Sequence, residues 1–154
     1  HHAHRARIKR DVGEGMIVWE SHDEFLLRTE EEIENENYHR TGLDAFDQYG
    51  LQFFTTSAHY YLHSKDRESL APEDIVCHLL LIDNDSRHRK YALLLIAETD
   101  LSEETVIQVG AYYGIEDVVT PLVEFLFTEG EETAEITPKW KEFETLASEY
   151  EVDL

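Results

Sequence analysis

The chain has 154 residues, and 34 Asp and Glu against 13 Lys and Arg leave a formal net charge of -21. That density of carboxylate argues against a general binder of nucleic acid or anionic membrane, since a phosphate surface would be met with net repulsion. The 42% hydrophobic fraction suffices for a core, no apolar run approaches a membrane span, and the one cysteine, Cys77, allows neither an internal disulfide nor a cysteine-based zinc site.

Residues 1–15 hold Arg5, Arg7, Lys9 and Arg10 against Asp11 and Glu14, so they are basic where the rest is acidic. They read as a tag remnant, or as the end of a preceding segment with Gly13 and Gly15 in a linker or hairpin turn; residues 16–154 read as a single domain. MIVWE (16–20) predicts a strand, with Phe25–Leu27 as its partner across a turn at 21–23. Residues 29–37 predict a solvated helix or loop, Thr29 and Glu32 having capping-box spacing. Leu43, Phe46 and Tyr49 predict one helical face that stops at Gly50. LQFFTT (51–56) and HYYLHS (59–64) predict two strands, read as one hairpin.

From Pro72 the character changes. DIVCHLLLID (74–83) and YALLLIAET (91–99) are apolar blocks, and Pro72 with the Leu and Ala content favours helices over buried strands. A helix over 102–113 is expected to bury Val106, Val109 and Tyr113 and to be capped by Gly114. Pro121 is expected in the first turn of a helix over 121–127, extended by a turn at 116–119. Trp140, Phe143, Leu146 and Ala147 are spaced for one face of a terminal helix within 138–149. Strands in the first 64 residues and helices after them predict an α+β fold, with a small N-terminal antiparallel sheet and a helical C-terminal half.

Candidate chemistry is sparse. Asp83 and Asp85 form a D-x-D after an apolar run, the pattern that holds Mg²⁺ in phosphoryl or nucleotidyl transfer, but no phosphate-cradling loop accompanies them. They read as a polar connector, with no metal and no catalytic residue assigned. His59 and His63 fall on one strand face about 13 Å apart, too far to share an ion. Cys77 and His78 are sequence neighbours that would not face each other on a helix. The helix–Gly114–helix over 101–127 has no Lys or Arg, so it reads as packing and not as a DNA-reading pair. Trp140 and Phe143, beside Lys139 and Lys141, are the residues placed at a partner. The terminal helix is expected to dock either on its own sheet, against Phe53 or Tyr61, or on a second copy of the chain.

APEDIVCHLLLID (71–83), RHRKYALLLIA (87–97) and DLSEETVIQVGAYYGIED (100–117) follow one another in an order that resembles the C-terminal half of the abortive-infection type IV toxin–antitoxin proteins, both the winged-helix antitoxin and the nucleotidyltransferase toxin. The same segments, with HRTGLDAFDQYGLQFFTT (39–56), also resemble haloarchaeal winged-helix proteins with an acidic C-terminal domain. The nucleotidyltransferase Gly-Ser turn with paired acids is missing, so no catalytic residue carries over. The resemblance implies an accessory or regulatory domain.

The expected function is a non-enzymatic regulatory or protein-interaction domain of a halophilic transcription-regulator-like or antitoxin-like protein. The alternative is a nucleotidyltransferase-type enzyme using Asp83 and Asp85. Five Lys against eight Arg, with pI near 4.6, fit a salt-rich cytoplasm, where a dense carboxylate surface stays hydrated and its self-repulsion is screened. No cofactor is implied; the expected partner is a protein or a second copy, not nucleic acid or membrane.

Overall fold

The computed structural model describes residues 2–53 and 57–154. The fold is α+β, with a four-stranded antiparallel sheet in the N-terminal half and helices in the C-terminal half. The chain divides into two compact units, residues 1–70 and 71–154.

In the first unit, β1 (Met16–Glu20), β2 (Phe25–Thr29), β3 (Tyr38–Thr41) and β4 (His59–His63) lie in the order β1-β2-β4-β3. The β1–β2 hairpin forms where Met16–Glu20 and Phe25–Leu27 predict it. Ser21 closes its turn by donating its backbone N–H to the Glu24 carbonyl at 2.8 Å. β4 sits between β2 and β3, so its residues are paired on both sides: His63 lies opposite Phe25 and Tyr38.

The hairpin expected between 51–56 and 59–64 is corrected. Leu51–Phe53 is not a strand, residues 54–56 lie outside the described residues, and β4 takes its partners from β2 and β3 instead. β3 is a strand that no expectation from sequence covers, since its Tyr-His-Arg-Thr has little apolar patterning. Among the described residues no helix forms in 29–37: the Thr29 hydroxyl ends β2 by donating to the Glu14 carbonyl at 3.0 Å and accepting from the Glu31 N–H at 3.2 Å. The Gly42–Tyr49 helix forms where expected but as a 3-10 helix, closed by Gly50 in the left-handed conformation.

Residues 2–11 are ordered as α1 (His2–Asp11). His4, Ile8 and Val12 fall on one side of it at helical spacing. Ile8 is buried with Phe25, Leu27, Tyr38 and Tyr61, and Val12, Ile17 and Ile33 pack around them. Polar ties reinforce that seat. His4 Nε2–H donates to the Ser21 carbonyl at 2.8 Å, and the Tyr38 hydroxyl donates to Asp11 at 2.8 Å.

The second unit holds α2 (Pro72–Ile82), α3 (Ser86–Glu98), α4 (Glu103–Tyr112), α5 (Glu116–Phe127) and α6 (Trp140–Glu149). α2 packs on α3 and α4, α5 on α3 and α4. Both apolar blocks are helices, as Pro72 suggests. Pro72 occupies the first turn, with Asp74 returning its carboxylate to the Ala71 N–H at 3.2 Å. α4 packs closely on α5 at Gly110, where a Cβ would lie 2.4 Å from Val119 Cγ2. Val106 and Tyr113 are buried, whereas Val109 is only half-buried.

Pro121 is corrected: it lies inside one continuous α5 and not in the first turn of a shorter helix. The carbonyl it leaves without a helical donor belongs to Asp117, an exposed residue that water can serve. Among the described residues no helix is long and apolar enough to cross a membrane.

Candidate interaction surface

Three places in the second unit gather chemically capable side chains. The first is the connector after α2. Asp83, Asp85 and His88 bring ligand-type atoms within 4.8 Å of one another. Asp85 is already committed there: its Oδ1 accepts the His88 backbone N–H at 2.7 Å and the His88 ring Nδ1–H at 2.8 Å, which makes it the N-cap of α3. Burial opposes its ionisation, but these bonds outweigh that and hold the carboxyl below the usual range. The residues picked out by the D-x-D pattern therefore do come together, in the arrangement of a helix cap. Because Asn caps as well as Asp, Asp83→Asn with Asp85→Asn is expected to change stability by less than about 1 kcal/mol. Thermal unfolding with and without Mg²⁺ checks this; stabilisation of the parent alone by Mg²⁺ would make the cluster a metal site.

The second place is a buried network that sequence spacing could not reveal, since its members lie 35 and 39 residues apart. The Tyr113 hydroxyl donates to Asp74 Oδ1 at 2.7 Å and lies 2.9 Å from His78 Nε2. With its single proton given to Asp74, the hydroxyl oxygen accepts from His78 Nε2–H, which sets the imidazole tautomer. All three side chains are buried, so the network fastens the end of α4 to α2. Cys77 beside them is buried too, and burial together with Asp74 and Glu73 pushes its thiol up, away from a reactive thiolate. Tyr113→Phe removes both of these buried hydrogen bonds and is expected to cost about 1–3 kcal/mol, measured by chemical denaturation. An unchanged midpoint would show that water replaces the hydroxyl.

The third place is a groove of about 310 Å³ at the ends of α3 and α5. Its apolar wall includes Ile96, Leu101, Leu126, Phe127, Trp140 and Leu154, and Asp100, Glu129 and Asp153 stand among them. Phe127 and Leu154 are 49% and 52% exposed; with Met16 and Tyr112 they are the large hydrophobic side chains left most in water among the described residues, and these two stand together on the groove. Trp140 is placed by the turn after α5. Gly130 there has φ +84°, and a Cβ on it would lie 2.6 Å from Trp140 Cβ, so only glycine lets the chain pass so close.

The two residues expected at a partner thus part company. Trp140 is half-buried and forms groove wall, its ring edge-on to Phe125 at 5.5 Å. Phe143 is fully buried, 5.7 Å from the Trp140 ring and 6.4 Å from Phe125. α6 therefore docks on α5, within the helical unit. The groove's other members, Phe127 and Leu154, were not singled out from sequence, because they come from different segments and only the fold joins them.

A family model described as HVO_2833_C, C-terminal, matches residues 35–152. The match takes in β3, the 3-10 helix, β4 and the whole run of helices from α2 to α6, and leaves α1, β1 and β2 outside it. No curated protein and no solved structure matches the chain. Of the sequence resemblance, the match supports a C-terminal domain of a haloarchaeal family; it does not extend to the winged-helix regulators, and nothing in the comparisons supports the abortive-infection side. The chain belongs to the HVO_2833 C-terminal family, a haloarchaeal family.

Proposed function

We propose that this chain is a protein-interaction domain, without enzymatic activity of its own, in a regulator-like protein of a salt-rich cytoplasm. The observation that carries the reading is the groove at Trp140, Phe127 and Leu154. On an acidic chain, large apolar side chains left half in water beside a concave surface are the mark of a surface that another protein covers. Residues 101–138 add nine acidic side chains and no Lys or Arg, which favours a protein over nucleic acid as the partner. Use of Asp85 as a helix cap speaks against the alternative of a nucleotidyltransferase-type enzyme.

The full chain, equilibrated in molar KCl with soluble extract from cells carrying its gene, is expected to sediment in a stoichiometric complex and to turn over no nucleotide. A chain that sediments alone overturns the reading. So does a Mg²⁺-dependent nucleotide transfer that Asp83→Asn with Asp85→Asn abolishes.

A further inference from the structure

The rim of the groove shows what kind of partner fits it. α3 ends at Glu98, α5 at Phe127 and α6 at Glu149, and none of the three has a basic residue in its last turn. The C-terminal end of a helix carries partial negative charge from its unpaired carbonyls, and a cation there is favourable. This chain places acids instead. Asp100 follows the cap of α3, Glu129 that of α5 and Glu151 that of α6, with φ of 53°, 53° and 58°. Those are left-handed conformations, where glycine is the unstrained choice. Among the described residues they are the non-glycine positions with positive φ. Asp100 and Glu129 stand on the groove with Asp153, and Glu151 lies two residues before Asp153.

A carboxylate surface that merely keeps an acidic protein hydrated has no need of these positions. It can use any exposed helix face, and this chain does so at Glu104, Glu124 and Glu144. Acids at helix ends, in a backbone conformation that opposes them, concentrate negative potential at the mouth of an apolar groove. An apolar segment flanked by Asp or Glu would add repulsion there, and a purely cationic one would leave Phe127 and Leu154 in water.

Resting on the interaction reading above, we propose that the groove takes a partner segment whose apolar side chain enters between Phe127, Trp140 and Leu154, and whose flanking Lys or Arg side chains pair with Asp100, Glu129 and Asp153. In molar salt the Debye length is about 3 Å. Only cations seated directly on the rim then contribute, and apolar contact supplies the rest.

The test titrates a short amphipathic Leu/Lys peptide into the full chain in molar KCl and follows backbone amide shifts. A Leu/Glu and a Ser/Lys peptide of equal length serve as comparisons. The Leu/Lys peptide is expected to bind, with shifts gathered at 96–101, 126–130, 140 and 153–154. Asp100→Gly with Glu129→Gly, which removes charge while relieving the backbone, is expected to weaken binding about tenfold without loss of stability. Phe127→Ser, at a half-exposed position, is expected to weaken it similarly.

Equal binding of the Leu/Glu peptide overturns the charge assignment, and equal binding of the Ser/Lys peptide overturns the apolar one. No binding, or shifts elsewhere, overturns the groove as the site but not the interaction reading, which the sedimentation experiment tests separately. The same shifts appearing in the chain alone as its concentration rises would make the occupant a second copy and overturn the proposal.

Discussion

Replacing Phe143 by alanine is expected to destabilise the helical unit by about 3–5 kcal/mol, the range for removing a large buried aromatic side chain. The ring is fully buried. It packs against Phe125, itself fully buried, and beside Trp140, and its helix is short, so α6 owes its place to this contact. The chain after α6 depends on it as well. The Val152 N–H donates to the Ala147 carbonyl at 2.8 Å, both residues are buried, and Leu154 reaches the groove only while that turn is held. Against a total of about 5–15 kcal/mol for an ordinary domain, such a loss would shift the denaturation midpoint far down. Trp140→Ala is expected to cost less, because part of that ring already faces water. Denaturation in molar KCl at two protein concentrations checks both variants. The same loss at each concentration fits docking within the chain, whereas a loss that shrinks on dilution would mean that α6 is held by a second copy.

How much of this could be read from sequence follows from the range of the interactions. The helices of the second unit were legible because their signals are local: Pro72 at a first turn, apolar blocks of helical length, Gly114 with φ 77° just past α4, and Trp140 and Phe143 three apart. The β1–β2 hairpin was legible for the same reason. β4 was legible as a strand, but its neighbours were not. Pairing with β2 and β3 is a choice among distant segments, and the aromatic run at 51–56 looked like the nearer partner. α1 was hidden by its charge. The stripe of His4, Ile8 and Val12 is a usable signal, but His4 does not count as apolar in a pattern of hydrophobic spacing, and only Ile8 and Val12 remain. In the candidate site, Trp140 could be found from its helix. Phe127, Leu154 and the three acids could not, since what distinguishes them is backbone conformation and convergence in space. The Asp74–Tyr113–His78 network was hidden in the same way.

Stability of the first unit is expected to fall as pH drops from about 6.5 towards 4, and the cause is His63. The ring is 3% exposed, stacked on Phe25 at 4.7 Å and 7° and met edge-on by Tyr38 at 4.8 Å, and among the described residues neither of its nitrogens has a hydrogen-bond partner. Burial, with the Arg7 charge next, pulls its pKa down to about 4 from 6.5; Lys65 and His4 act in the same direction, and Asp11 opposes them. Folded and unfolded chains then bind protons differently in one window. Above pH 6.5 the imidazole is neutral in both. Between 6.5 and about 4 the unfolded chain takes up a proton that the folded one refuses, so stability falls with pH. Below about 4 both are protonated and the slope ends. The difference amounts to about 3 kcal/mol across the window. Much of the window lies above the ordinary carboxylate range, so the acidic surface interferes little down to about pH 5. His63→Phe keeps an aromatic ring between Phe25 and Tyr38 and removes the titrating group. Urea midpoints taken from pH 7 to 5 in molar KCl are expected to slope downward for the parent and to flatten for the variant. Equal slopes would place the acid sensitivity elsewhere and leave His63 a passive member of the core.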